Sequence, residues 1–145
     1  NRRCCQRARP EPMAIIKQPD EIALMAESGR LLAQVFAALD ALPLEGRSTM
    51  DINDFVERMI VDELHARPAS KGQYGFPYVL NTSIDNVICH GVPIHEVVLR
   101  SGQIVNLDIT LEKNGYIADS STTYLVGEVY FASRMPVTVA YQSMW

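Results

Sequence analysis

Residues 104–111 alternate without a break, with Val105, Leu107, Ile109 and Leu111 on one side and Asn106, Asp108 and Thr110 on the other. A period of two marks a strand with one buried face. Glu112-Lys113-Asn114-Gly115 follows as a turn, and a second strand-like run covers residues 116–126, so the pair reads as an antiparallel hairpin. With the loop centred between Lys113 and Asn114, Asp108 and Asp119 fall directly opposite each other. Upstream the period changes to three and four. Ile22, Met25, Leu32, Val35, Phe36 and Leu39 mark a helix over 19–42, closed by Pro43 and Gly46. Ile52, Phe55, Val56, Met59, Ile60 and Leu64 mark a second helix, with Thr49 as its N-cap. Both stripes are read as core. Residues 67–73 read as a loop, and 78–88 carry two short apolar runs, with Asp85-Asn86 as a turn between strands. Helices followed by hairpin-joined strands give an α+β fold.

The two aspartates raise an electrostatic question. Facing side chains of an antiparallel pair lie about 4.5–5.5 Å apart at Cβ, where like charges oppose folding. A divalent cation would relieve that repulsion, because hard cations take carboxylate oxygens and a pair of ions can share bridging carboxylates. A solvated hairpin carrying two unrelated acids is the other reading, and the residues alone leave both open.

Composition narrows the setting. A chain of 145 residues with 48% hydrophobic and 21% charged positions suffices for one ordinary domain, and a net charge of −4 argues against a nucleic-acid surface. No uninterrupted apolar run approaches the roughly 18–20 residues that span a bilayer. Cys4, Cys5 and Cys89 form no C-x-x-C pair, which supports neither a disulfide framework nor a zinc knuckle and fits a reducing cytoplasm. Residues 1–12 combine four arginines with one glutamate and no apolar periodicity, and read as a disordered leader of non-native or upstream origin. Residues 13–129 then form the domain. Residues 130–145 read as a divergent or truncated tail, with a helix over 140–145 and Pro136 an awkward member.

Among the titratable residues His90 stands out. It lies in Cys89-His90-Gly91-Val92-Pro93, where glycine and proline imply a bend that projects side chains into a cleft. A purely hydrogen-bonded histidine is the bland alternative. His65 and His95 occupy a helix end and a surface loop, and Cys89 has no histidine–carboxylate pair placed to activate it.

Taken in order, several segments resemble one family. They are Tyr74-Gly75-Phe76-Pro77, Ser83-Ile84-Asp85-Asn86-Val87-Ile88-Cys89-His90-Gly91-Val92-Pro93, Ser101-Gly102-Gln103-Ile104-Val105-Asn106-Leu107-Asp108-Ile109-Thr110 and Gly115-Tyr116-Ile117-Ala118-Asp119-Ser120-Ser121. Over residues 15–129 the chain is similar to the N-terminal half of bacterial type I methionine aminopeptidases. The resemblance implies the first half of a pita-bread fold, two helices packed on a curved antiparallel sheet. It implies a metalloexopeptidase that removes the initiator methionine from nascent polypeptides, in the cytoplasm and near the ribosome, with no membrane or specific nucleic-acid partner. Two divalent ions (Co, Mn, Fe or Zn) are implied, with Asp108 and Asp119 as ligands, His90 contacting the substrate and assisting catalysis, and Phe76 lining the methionine pocket. Asn81 and Gln73 stand where many members have cysteine and tyrosine, which implies a more polar pocket wall. The family's remaining ligands, a histidine and two glutamates, have no counterpart after Gly127. The expectation is therefore an incomplete metal site and little activity for this stretch alone. Rival readings are a non-catalytic pita-bread binding module and a relative of aminopeptidase P or prolidase.

Overall fold

A computed structural model of the chain describes residues 15–144. The leader read at 1–12 lies outside the described residues. Helix α1 spans Pro19–Asp40. Proline at its first position needs no backbone donor, and Glu21 accepts the Gln18 amide at 2.8 Å, closing the first turn. Leu31, Leu32, Val35 and Leu39 are buried, but Ile22 and Met25, read as core, are 54% and 40% exposed. The reason is where the sheet stops. Ser28 already donates to the Tyr116 carbonyl at 2.7 Å, beside the hairpin turn, so the preceding helical turns overhang it. By length and composition α1 could cross a membrane, with a mean hydropathy of 1.4, yet its apolar stripe packs on the sheet as a core helix does.

Helix α2 spans Thr49–Arg58 and continues as a π-helical turn, Met59–Glu63. Its N-cap is Ser48 rather than Thr49. The Asp51 amide donates to Ser48 Oγ and the Ser48 amide to Asp51 Oδ2, each at 3.0 Å, completing a capping box. Thr49 is released for another task. Its Oγ1 accepts the Ile94 amide at 2.8 Å and donates to the Ile94 carbonyl at 2.9 Å, tying down the loop that follows His90.

Four strands make one antiparallel sheet: β1 Arg67–Pro68, β2 Leu80–Ile84, β3 Ile104–Lys113 and β4 Tyr116–Leu125. Strands β1 and β2 share one edge of β3, and β4 runs along the other. Short β1 falls where the sequence suggests a loop, and residues 87–88, expected to enter a strand after the Asp85-Asn86 turn, form none. The hairpin register differs from the expected one. Lys113 pairs with Tyr116, so the loop is Asn114-Gly115 alone, with φ of 54° and 82°. Two left-handed residues are what the tightest primed turn requires, and Asn-Gly is its strongest signal. Every pairing shifts by two positions: Asp108 faces Ser121 and Asp119 faces Thr110. A shift of two preserves the face, so the aspartates remain on one surface as diagonal neighbours rather than direct partners.

The core sits between the helices and one face of the sheet, centred on Val105, Leu107, Ile109 and Leu111 of β3 with Leu32, Val35, Leu39, Ile52, Val56 and Ile60. The other face carries Asn81, Asn106, Asp108, Thr110, Asp119, Ser121 and Thr123, opposite the side on which the helices pack. After β4, helix α3 covers Phe131–Gln142, longer than the tail helix expected, with Pro136 inside it and no buried residue.

Candidate metal and substrate site

The site begins with a strand that must satisfy both faces. Burying four aliphatic side chains of β3 against the helices fixes Asn106, Asp108 and Thr110 on the open face, since neighbours in a strand point to opposite sides. Asp108 is half-buried in the middle of that face. Its carboxyl is pushed above the ordinary range, first by desolvation, then by the charge of Asp119 and hydrogen bonding with it. His90 and the Asn81 amide pull the other way by favouring the charged form. Asp119 is exposed and accepts a hydrogen bond from Thr110 Oγ1 at 3.1 Å. Asn106 donates to Thr123 Oγ1 at 3.1 Å on the far side of the Asp108–Ser121 pair.

His90 approaches from beyond β2, and a glycine fixes its route. The Gly91 carbonyl accepts the Thr82 amide at 2.7 Å, and the Gly91 amide donates to Ser83 Oγ at 3.1 Å. A Cβ at Gly91 would meet the Thr82 carbonyl oxygen at 2.0 Å, so only glycine fits under the strand edge. His90 takes up the resulting geometry at φ 57°, a left-handed conformation that non-glycine residues reach only when their surroundings impose it.

Beside His90 lies a cleft of about 620 Å³ lined by Gln73, Tyr74, Phe76, Tyr78, Asn81 and His90, among others. Its outer wall is a left-handed run, with φ of 91° at Gly72, 49° at Tyr74 and 80° at Gly75. Phe76 and Tyr78 meet edge to face, ring centroids 5.7 Å apart. Buried Asn53 holds this wall to α2 by accepting the Val79 amide at 3.0 Å. The structure thus brings together His90, Phe76, Gln73 and Asn81 around one cleft, with Asp108 next to Asn81 in register. His65 and His95 line no part of that cleft, and Cys89 is an exposed free thiol. Ser83, Gly91, Asn53 and Tyr78 escaped the sequence reading. Ser83 and Gly91 stand in the quoted motif, but nothing there marks them as the pair that fixes the route of His90.

Comparison with known proteins identifies the family. The sequence profile of metallopeptidase family M24 matches residues 23–143, more than four-fifths of the chain. The chain belongs to metallopeptidase family M24. As an M24 chain it is 34% identical to the methionine aminopeptidase of Escherichia coli (strain K12) over 134 residues, 92% of this chain and 51% of the relative. It is 35% identical to the methionine aminopeptidase of Buchnera aphidicola subsp. Schizaphis graminum over 131 residues, 90% of this chain and 50% of the relative. The solved methionine aminopeptidase of Rickettsia prowazekii superposes with a TM-score of 0.86 at 31% identity, covering 91% of this chain and 52% of that structure. The pita-bread expectation holds for this M24 chain, which spans about half the length of the relatives it matches.

Proposed function

We propose that this chain carries part of the active site of a methionine aminopeptidase, a metal-dependent hydrolase acting on the N-terminal methionine of cytoplasmic polypeptides. The observation that carries the reading is the pair of carboxylates on the open face of the hairpin, beside a cleft lined by His90 and Phe76. Identity of about one-third to methionine aminopeptidases supports the choice within the family.

The donor set fits a hard divalent cation. Asp108 and Asp119 offer only oxygen, lie on one face and repel each other, and a cation between them would turn that repulsion into attraction. Bound there, such ions acidify a water and polarise a carbonyl. The chain's own residues supply the rest. Phe76 and Tyr78 form an apolar wall against which a thioether side chain packs, and Asn81 and Gln73 make part of that wall polar. His90, at the cleft edge beside Gly91, would donate a hydrogen bond to the scissile amide.

Two carboxylates make a weak site. Among the described residues no group of three or more histidine, cysteine or acidic side chains could hold an ion. The 145 residues by themselves should therefore bind a cation loosely and hydrolyse little. Joined to the remaining half of a methionine aminopeptidase relative, they should release methionine from a Met-Ala-Ser peptide, and His90→Ala should lower turnover by about 10²–10⁴-fold. A joined protein that folds, binds metal and leaves the peptide intact would favour the binding-module reading.

A further inference from the structure

Asn81 belongs both to the cleft and to the surroundings of the carboxylate pair. It lines the cleft together with Phe76 and His90, and it is the direct cross-strand partner of Asp108. Partners in an antiparallel pair have Cβ atoms about 4.5–5.5 Å apart, so the two side chains stand next to each other on the open face. Chemistry fixes which end of the amide does what. An ionised carboxylate only accepts, so the NH₂ of Asn81 is the end that serves Asp108, and its carbonyl oxygen is left for the cleft. Asp119 lies diagonally across from Asp108 on the β4 side, and Asn81 faces it directly from β2.

We propose that Asn81 is a positioning residue for Asp108: its amide holds the carboxylate in the orientation a cation needs while the same side chain forms the cleft wall. This rests on the metal-site reading above. Groups that hydrogen-bond a ligating carboxylate fix its direction, and losing one typically weakens metal binding by about 10–100-fold. Asn81 is half-buried at the sheet surface, outside the aliphatic core, so its replacement can be separated from unfolding.

The test is an Mn²⁺ titration of the full chain, followed by the electron paramagnetic resonance signal of free Mn²⁺, with thermal unfolding as the check on structure. Asn81→Leu should weaken Mn²⁺ affinity by about tenfold or more while leaving the melting temperature near the parent's. Asn81→Gln keeps a donor amide on a longer stem and should recover most of the affinity. If both variants bind like the parent while Asp108→Ala abolishes binding, Asn81 does not position the carboxylate and the metal reading stands. Should Asp108→Ala also bind like the parent, both ideas fall together. An affinity loss as large in Asn81→Gln as in Asn81→Leu would equally overturn the positioning role, because the donor would then be irrelevant.

Discussion

The two faces of strand β3 are built from alternate residues of one ten-residue segment, yet they obey opposite rules. On the helix side, Val105, Leu107, Ile109 and Leu111 have no accessible surface and interlock with α1 and α2. On the open side, Asn106, Asp108 and Thr110 are half-buried, with Asn106 bonded to the Thr123 hydroxyl and Thr110 to the Asp119 carboxylate. One face is selected for volume and the other for charge and reach. The helix face packs the strand into the core, and the same strand carries Asp108 on its open face with Asp119 diagonal to it on β4. Stability and chemistry are thus separated by a single residue step along the chain.

The comparison breaks most visibly on the helix face. Leu107→Ala should cost about 2–5 kcal/mol in chemical denaturation, since a fully buried leucine leaves a cavity among neighbours that relax only in part. Gly91→Ala comes next. A Cβ pressed against the Thr82 carbonyl should cost about 1–3 kcal/mol by overpacking and displace His90, visible as shifted backbone resonances over 88–92. Asn53→Ala, which strands the buried Val79 amide, should cost a similar or slightly smaller amount, about 1–3 kcal/mol, and loosen the cleft wall against proteolysis.

On the open face the smallest change should have the opposite sign. Asp119→Asn removes the like charge beside Asp108 and should leave stability at neutral pH unchanged or slightly higher. A pH series sharpens the point. The folded-state pKa of Asp108 is raised, so between its unfolded and folded values the native state binds more protons, and stability falls as pH rises through that window. Asp119→Asn should flatten this part of the profile, read as urea midpoint against pH. A steeper profile would contradict the assigned neighbourhood.

Much of this arrangement is legible in the sequence because it is local. The period of two in β3 and the period near 3.6 in α1 and α2 record which face meets the core, and the order of helices and strands follows. What escapes depends on partners distant along the chain. Ile22 and Met25 carry the helical period but overhang the sheet, and only the position of Tyr116 reveals it. Thr49 looks like an N-cap until Ile94 claims its hydroxyl. The pairing of Asn81 with Asp108 joins strands separated by a long loop that no local pattern encodes. The hairpin register lies two positions from the one a four-residue loop predicts, because Asn114-Gly115 alone closes the turn. An even shift leaves every residue of the hairpin on its predicted face.

The central claim is that Asp108 and Asp119 form one cation-binding unit on the open face. Isothermal titration of the chain with Mn²⁺ at neutral pH tests it most directly. The account predicts weak binding that disappears in both Asp108→Ala and Asp119→Ala, each variant remaining folded. Binding that persists undiminished in either variant would contradict it.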